Sequence, residues 1–81
     1  MQFKKGVKVI SKDGQKLGTL DRVLTDPKSD RVTHLVISSG LLIKKKKLIP
    51  VYWLDDVLED QVHLSVGSRL FGCLIEFRPE S

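Results

Sequence analysis

The stretch Arg31 to Ser38, RVTHLVIS, limits the fold more than any other part of the chain. Val32, Thr33, Val36 and Ile37 branch at Cβ, which restricts them in a helix and suits an extended backbone. Successive side chains of a strand point to opposite faces, so Leu35 and Ile37 share one face while Val32 and Val36 share the other. A strand apolar on both faces is usually buried on both. In a chain of 81 residues the core is small, and the second covering is expected from another subunit. Val32, His34, Val36 and Trp53 are the candidate subunit interface.

The flanking segments read as further short strands. Val7-Lys8-Val9-Ile10 alternates, and Asp13-Gly14 suits a tight turn because glycine accepts positive φ. Leu17 to Thr25 is the second strand. Its apolar positions, Leu17, Leu20, Val23 and Leu24, are not strictly two apart, which fits a bulge or bend near Gly18 or a helical turn; the β-branched residues that follow favour the bent strand. Asp26 to Asp30 (DPKSD) is a turn leading into Arg31 to Ser38. Leu48 to Trp53 is the fourth strand, and Pro50, having no N–H to donate, places it at an edge or a corner. Leu54 to Asp60 is read as a turn, with at most a single helical turn. Gln61 to Val66 alternates again, Val62, Leu64 and Val66 on one face. In residues 67 to 78, Leu70, Phe71, Leu74 and Phe77 have helical spacing, although Cys73 to Phe77 would also serve as a strand; a short closing element packed on the rest is expected. Five to six short strands with turns about every ten residues predict an all-β fold, a small antiparallel barrel, forming one domain over residues 1 to 81.

Composition narrows the function classes. Fourteen basic against ten acidic residues leave a net charge of +4, the number carried by Lys44, Lys45, Lys46 and Lys47 alone. A basic excess confined to one run argues less for nucleic acid than a uniformly basic surface. The single cysteine, Cys73, excludes an intramolecular disulfide framework and fits a reducing compartment, with burial as a small apolar residue expected. No stretch has the roughly 18 apolar residues of a membrane span, and the N-terminus lacks the apolar segment of a secretory signal, so a cytoplasmic location is expected.

No catalytic constellation is legible. His34 and His63 stand alone in strands, with no third ligand at a spacing a metal requires. Asp55, Asp56, Glu59 and Asp60 lack the glycine-punctuated pattern of a calcium loop and read as a solvated turn. There is no phosphate-cradling glycine pattern and no nucleophile elbow. Trp53 and Tyr52 form no evident stacking platform, and Trp53 is read as core or interface packing. Neither an enzyme, a cofactor, a metal nor a small-molecule substrate is expected.

The lysine run lies between Leu41-Leu42-Ile43 and Leu48-Ile49. Three roles compete for it: lysines that keep an edge strand soluble, a sequence-blind grip on RNA phosphates, or an anchor on an anionic membrane surface. Because only alternate residues of a strand share a face, a four-lysine grip needs an irregular loop. That favours the first role over RNA, and both over the membrane surface.

Taken together, Gly6-Val7, DGQKLG (Asp13 to Gly18), Val23 to Pro27, RVTHLVI (Arg31 to Ile37), LIPV (Leu48 to Val51), Val57 and EDQVHLSV (Glu59 to Val66) resemble the PRC-barrel family in order and spacing. The resemblance covers roughly residues 6 to 66 and implies a small β-barrel without a catalytic motif. Such barrels look like adaptor and assembly modules, in a ribosome maturation factor and in the cytoplasmic part of the photosynthetic reaction-centre H subunit. These 81 residues show neither the preceding domain of the first nor the transmembrane helix of the second. The expectation is therefore a non-enzymatic interaction module of a prokaryotic cytoplasm, homodimeric and binding a protein partner. Leu41, Leu42, Ile43, Lys44, Lys45, Lys46 and Lys47 are its candidate contacts. The alternative is an RNA- or ribosome-associated accessory factor that uses Lys44 to Lys47.

Overall fold

A computed structural model describes residues 3–40 and 45–73. Among these residues the chain runs β1 (Lys8–Ile10), β2 (Lys16–Thr25), β3 (Val32–Ser39), β4 (Lys45–Pro50), a 3₁₀ turn (Val51–Trp53), β5 (Leu54–Val57), β6 (Gln61–Leu64) and α1 (Ser68–Gly72). The strands form one sheet in the order β4-β3-β2-β1-β6-β5. Neighbours are antiparallel except β1 and β6, which run parallel. A parallel pair needs a long crossover, which β2 to β5 supply.

The connection between the end strands gives the sheet its shape. Laid flat, six strands would hold β4 and β5 about 24 Å apart. Only Val51–Trp53 separates Pro50 from Leu54, and four Cα steps reach at most about 14 Å. The sheet must therefore curl until its two ends meet at a corner. The curl is barrel-like, but no ladder joins β4 to β5 among the described residues, so the expected closure by hydrogen bonds is not made. Pro50 lies at that corner as well as on an edge strand.

Bulges supply the bending. The β1–β2 register jumps from Val9↔Gly18 to Ile10↔Lys16, passing over Leu17. The β2–β3 register jumps from Leu20↔Ile37 to Arg22↔Val36, passing over Asp21. An inserted residue bends a strand and turns the side chains beyond it over. That is why Leu20 and Val23, three apart, both pack into the core. Gly18 is required for a second reason: a Cβ there would lie 2.3 Å from the Ser38 carbonyl oxygen.

Val9, Leu20, Leu35, Ile37, Ile49, Val62 and Leu64 fill the concave face, and Phe71 of α1 plugs it. Val36, on the opposite face of β3, is also fully buried within the single chain, so at this position no other subunit is needed for covering. The 3₁₀ turn ends the fourth strand at Pro50 rather than Trp53, and Leu54 to Asp60 forms β5 and a hairpin loop rather than a turn alone. Of residues 67 to 78, α1 is the expected closing element, with Phe71 inward and Leu70 exposed; residues 74–81 lie outside the described residues. Cys73, expected to be buried, is exposed.

A side chain from another loop caps α1. Its own N-cap, Gly67, has no side chain to offer. Asp13, from the β1–β2 turn, accepts hydrogen bonds from the Ser68 N–H at 3.0 Å and the Ser68 hydroxyl at 2.8 Å. The hydroxyl of Ser11, a buried residue, also donates to it. Donation by Ser11 first and Ser68 second holds the Asp13 carboxyl at about 2, below its ordinary 3.8.

Candidate functional site

Of the candidate contact residues, Leu41, Leu42, Ile43 and Lys44 lie outside the described residues. Lys45, Lys46 and Lys47 occupy β4 in regular register against Ser39, Ser38 and Ile37. A regular strand alternates, so Lys46 points away from the face shared by Lys45 and Lys47. The three lysines do different things. Lys47 Nζ donates to the carbonyl oxygens of Gly72 at 3.1 Å and Phe71 at 3.4 Å, and stands 5.5 Å from the centre of the Phe71 ring. Carbonyls at a helix C-terminus lack intrahelical partners, and a cation there satisfies them. Lys47 thus ties the edge strand to the element that plugs the core.

Lys46 Nζ lies 3.4 Å from Asp21 Oδ2, the carboxylate that Arg22 Nε also approaches at 3.0 Å. Hydrogen bonding from Arg22, followed by the Lys46 charge, holds the Asp21 carboxyl below the usual range. The β2 bulge places Asp21 there. Lys45 is exposed. Two of the three described lysines therefore have intramolecular partners, on opposite sides of the sheet.

The candidate interface residues also divide. Val36 is buried, Val32 and Trp53 are partly buried against the core, and His34 is half-buried with its Nδ1 3.0 Å from Thr33 Oγ1. His63 lies on β6, three positions along the sheet from β3, with its Nε2 2.9 Å from Gln61 Oε1. Each histidine is next in sequence to a core residue, Leu35 or Val62, and so stands on the outer face, on strands that are not neighbours. No group of three metal-ligating side chains occurs among the described residues.

A cleft that local pattern does not announce forms a second feature. It has a volume of about 490 Å³ and opens between the N-terminal segment and the β5–β6 hairpin. Phe3, Val7, Leu54, Val57 and Val62 line it with apolar surface, while Asp55, Asp56 and Glu59 bring carboxylates and Lys4 one ammonium. The volume falls in the range of small-ligand and peptide-anchor pockets. The residues from Leu54 to Glu59 all line it without a gap. The run comprises the whole of β5, whose bulge at Asp55 interrupts alternation, and the hairpin loop after it, so the edge strand borders the cleft. β5 is the last strand of the sheet. Its signal in the sequence is faint: a bulge that passes over Asp55 (Leu54↔Leu64, then Asp56↔His63) hides the alternation of β5.

A family model described as PRC-barrel domain matches residues 5–70. The chain belongs to the PRC-barrel family. The match spans all six described strands and reaches into α1, while Phe3 and Lys4 of the cleft precede it. PRC-barrel domains are in general non-catalytic modules. No curated protein matches the chain. No helix among the described residues is long and apolar enough to cross a membrane.

Proposed function

We propose that this PRC-barrel chain is a non-catalytic interaction module that binds a protein partner and works as a homodimer. The observation that carries the partner-binding reading is the cleft: an apolar floor bordered by a sheet edge that has no strand neighbour among the described residues. Free strand edges and apolar concavities are the usual places where another chain is held. Homodimerisation is supported by size, since a domain of 81 residues buries a low fraction of its surface and gains from a second copy. Sedimentation equilibrium at micromolar concentration tests this part; a clean monomer overturns it and leaves the partner-binding reading in place.

The second reading, an RNA-associated accessory factor, rests on Lys44 to Lys47. It is favoured by the local charge and disfavoured by the intramolecular partners of Lys46 and Lys47. Binding of structured RNA over a salt series separates the two, because every lysine removed from a phosphate makes the salt dependence shallower. Equal affinity and equal slope for the wild type and for a variant with serine at all four positions would dispose of the RNA reading.

A further inference from the structure

We infer that the cleft takes an extended segment of a partner protein in which cationic and apolar side chains alternate, laid along β5 as an added strand. The inference rests on the interaction-module reading and names the chemistry of the partner. Three observations carry it. First, β5 ends the sheet, and apart from its ladder to β6 no backbone hydrogen bond among the described residues ends on Asp55, Asp56 or Val57. An unpaired strand edge is a template for main-chain pairing, and strand addition takes its affinity from those bonds. Second, the cleft beside that edge, about 490 Å³ in volume, offers half-buried apolar surface from Phe3, Val7, Leu54 and Val57, room enough for aliphatic side chains. Alternate side chains of an added strand would enter it while the others point away.

Third, the charge around the cleft runs against that of the whole chain. Three carboxylates against Lys4 give a local balance of −2 in a molecule of net charge +4. Asp55, Asp56 and Glu59 are exposed, and none of them takes part in an ion pair among the described residues. Residues pointing out of the cleft from an added strand would stand beside these carboxylates, so lysine or arginine fits there and glutamate is repelled. The lysine strand of a second copy is a poorer occupant, because its Lys46 and Lys47 are held within their own chain.

The test uses the full chain and three labelled heptapeptides followed by fluorescence anisotropy at about 50 mM salt, where the screening length exceeds 10 Å. One peptide alternates lysine and valine, one alternates glutamate and valine, and the third is the lysine peptide N-methylated at every second residue. The lysine peptide is expected to bind at least tenfold more tightly than the glutamate peptide, and N-methylation to weaken it about tenfold. The triple variant Asp55→Asn, Asp56→Asn, Glu59→Gln, checked for folding by circular dichroism, should reduce the lysine-over-glutamate preference to about twofold. Equal or tighter binding of the glutamate peptide would overturn the cationic assignment and leave the interaction-module reading standing. An unaffected N-methylated peptide would overturn strand addition. Failure of all three peptides at millimolar concentration would overturn this inference together with the cleft as the binding site.

Discussion

Replacing Lys47 by methionine keeps an unbranched apolar side chain over Phe71 and removes only the charge. In the folded chain the ammonium donates to two carbonyls at the end of α1 and lies over the Phe71 ring. Hydrogen bonds from a charged group contribute about 1.5–3 kcal/mol, a cation at a helix C-terminus about 0.3–1 kcal/mol, and an exposed cation–ring contact about 0.5–1 kcal/mol. These overlap, and Lys47 is half-buried rather than enclosed, so the low end of the first figure applies and Lys47→Met should cost about 1.5 kcal/mol. For a domain of this size that lowers Tm by roughly 6–12 °C. Lys46→Met breaks one surface pair with Asp21 and should cost about 0.5 kcal/mol. Lys45→Met should change little. Urea and thermal unfolding of the three single variants, followed by circular dichroism, gives the ranking directly. Equal losses at the three positions, or the greatest loss at Lys45, would refute the assignment of Lys47 to the helix end.

Other substitutions test the fold. Gly18→Ala forces a methyl against the backbone of Ser38, which cannot retreat without breaking β2–β3 pairing; a cost of about 3 kcal/mol is expected in urea melts. Leu35→Ala, at a fully buried position in the core, should cost about 2–5 kcal/mol, most of what a domain this small possesses. For Asp13 the native carboxyl titrates at about 2 against an ordinary 3.8. Between those values the unfolded chain binds more protons, so the stability Asp13 contributes is fully present above about pH 4 and is lost as pH falls through 2. Asp13→Asn should therefore be less stable than wild type at pH 7 and converge on it at pH 2, read from urea midpoints at a series of pH values.

Much of the fold could be read from residue patterns. The β-branched run marked β3 as a strand, and the off-period apolar residues of Leu17 to Thr25 signalled a bulge near Gly18, found at Leu17; the bulge at Asp21, which lets Leu20 and Val23 share a face, had no such signal. Pro50 marked the corner. Three features escaped local pattern. The parallel pairing of β1 with β6 depends on contacts more than fifty residues apart, and Asp13, locally a turn former, caps a helix at Ser68. Val36, read as needing a second subunit to cover it, is fully buried within one chain.

The cleft was the least legible part. Its floor combines Phe3 and Val7 with residues from the β5–β6 hairpin, and its carboxylates resembled an ordinary solvated turn. The lysine run stands out in the sequence because charge is visible there, whereas the carbonyls and the carboxylate that engage Lys47 and Lys46 come together only on folding.

The proposal places partner binding in the cleft beside β5, while Lys46 and Lys47 of β4 hold the domain together. Amide shift mapping by NMR on one isotope-labelled sample, titrated first with the lysine–valine peptide and then with a structured RNA hairpin, tests it most directly. The account predicts peptide-induced shifts concentrated in residues 54–59 and beside Phe3 and Val7, with no RNA-induced cluster at Lys45 to Lys47. Shifts from the RNA gathered on those lysines, with the cleft unmoved by the peptide, would contradict it.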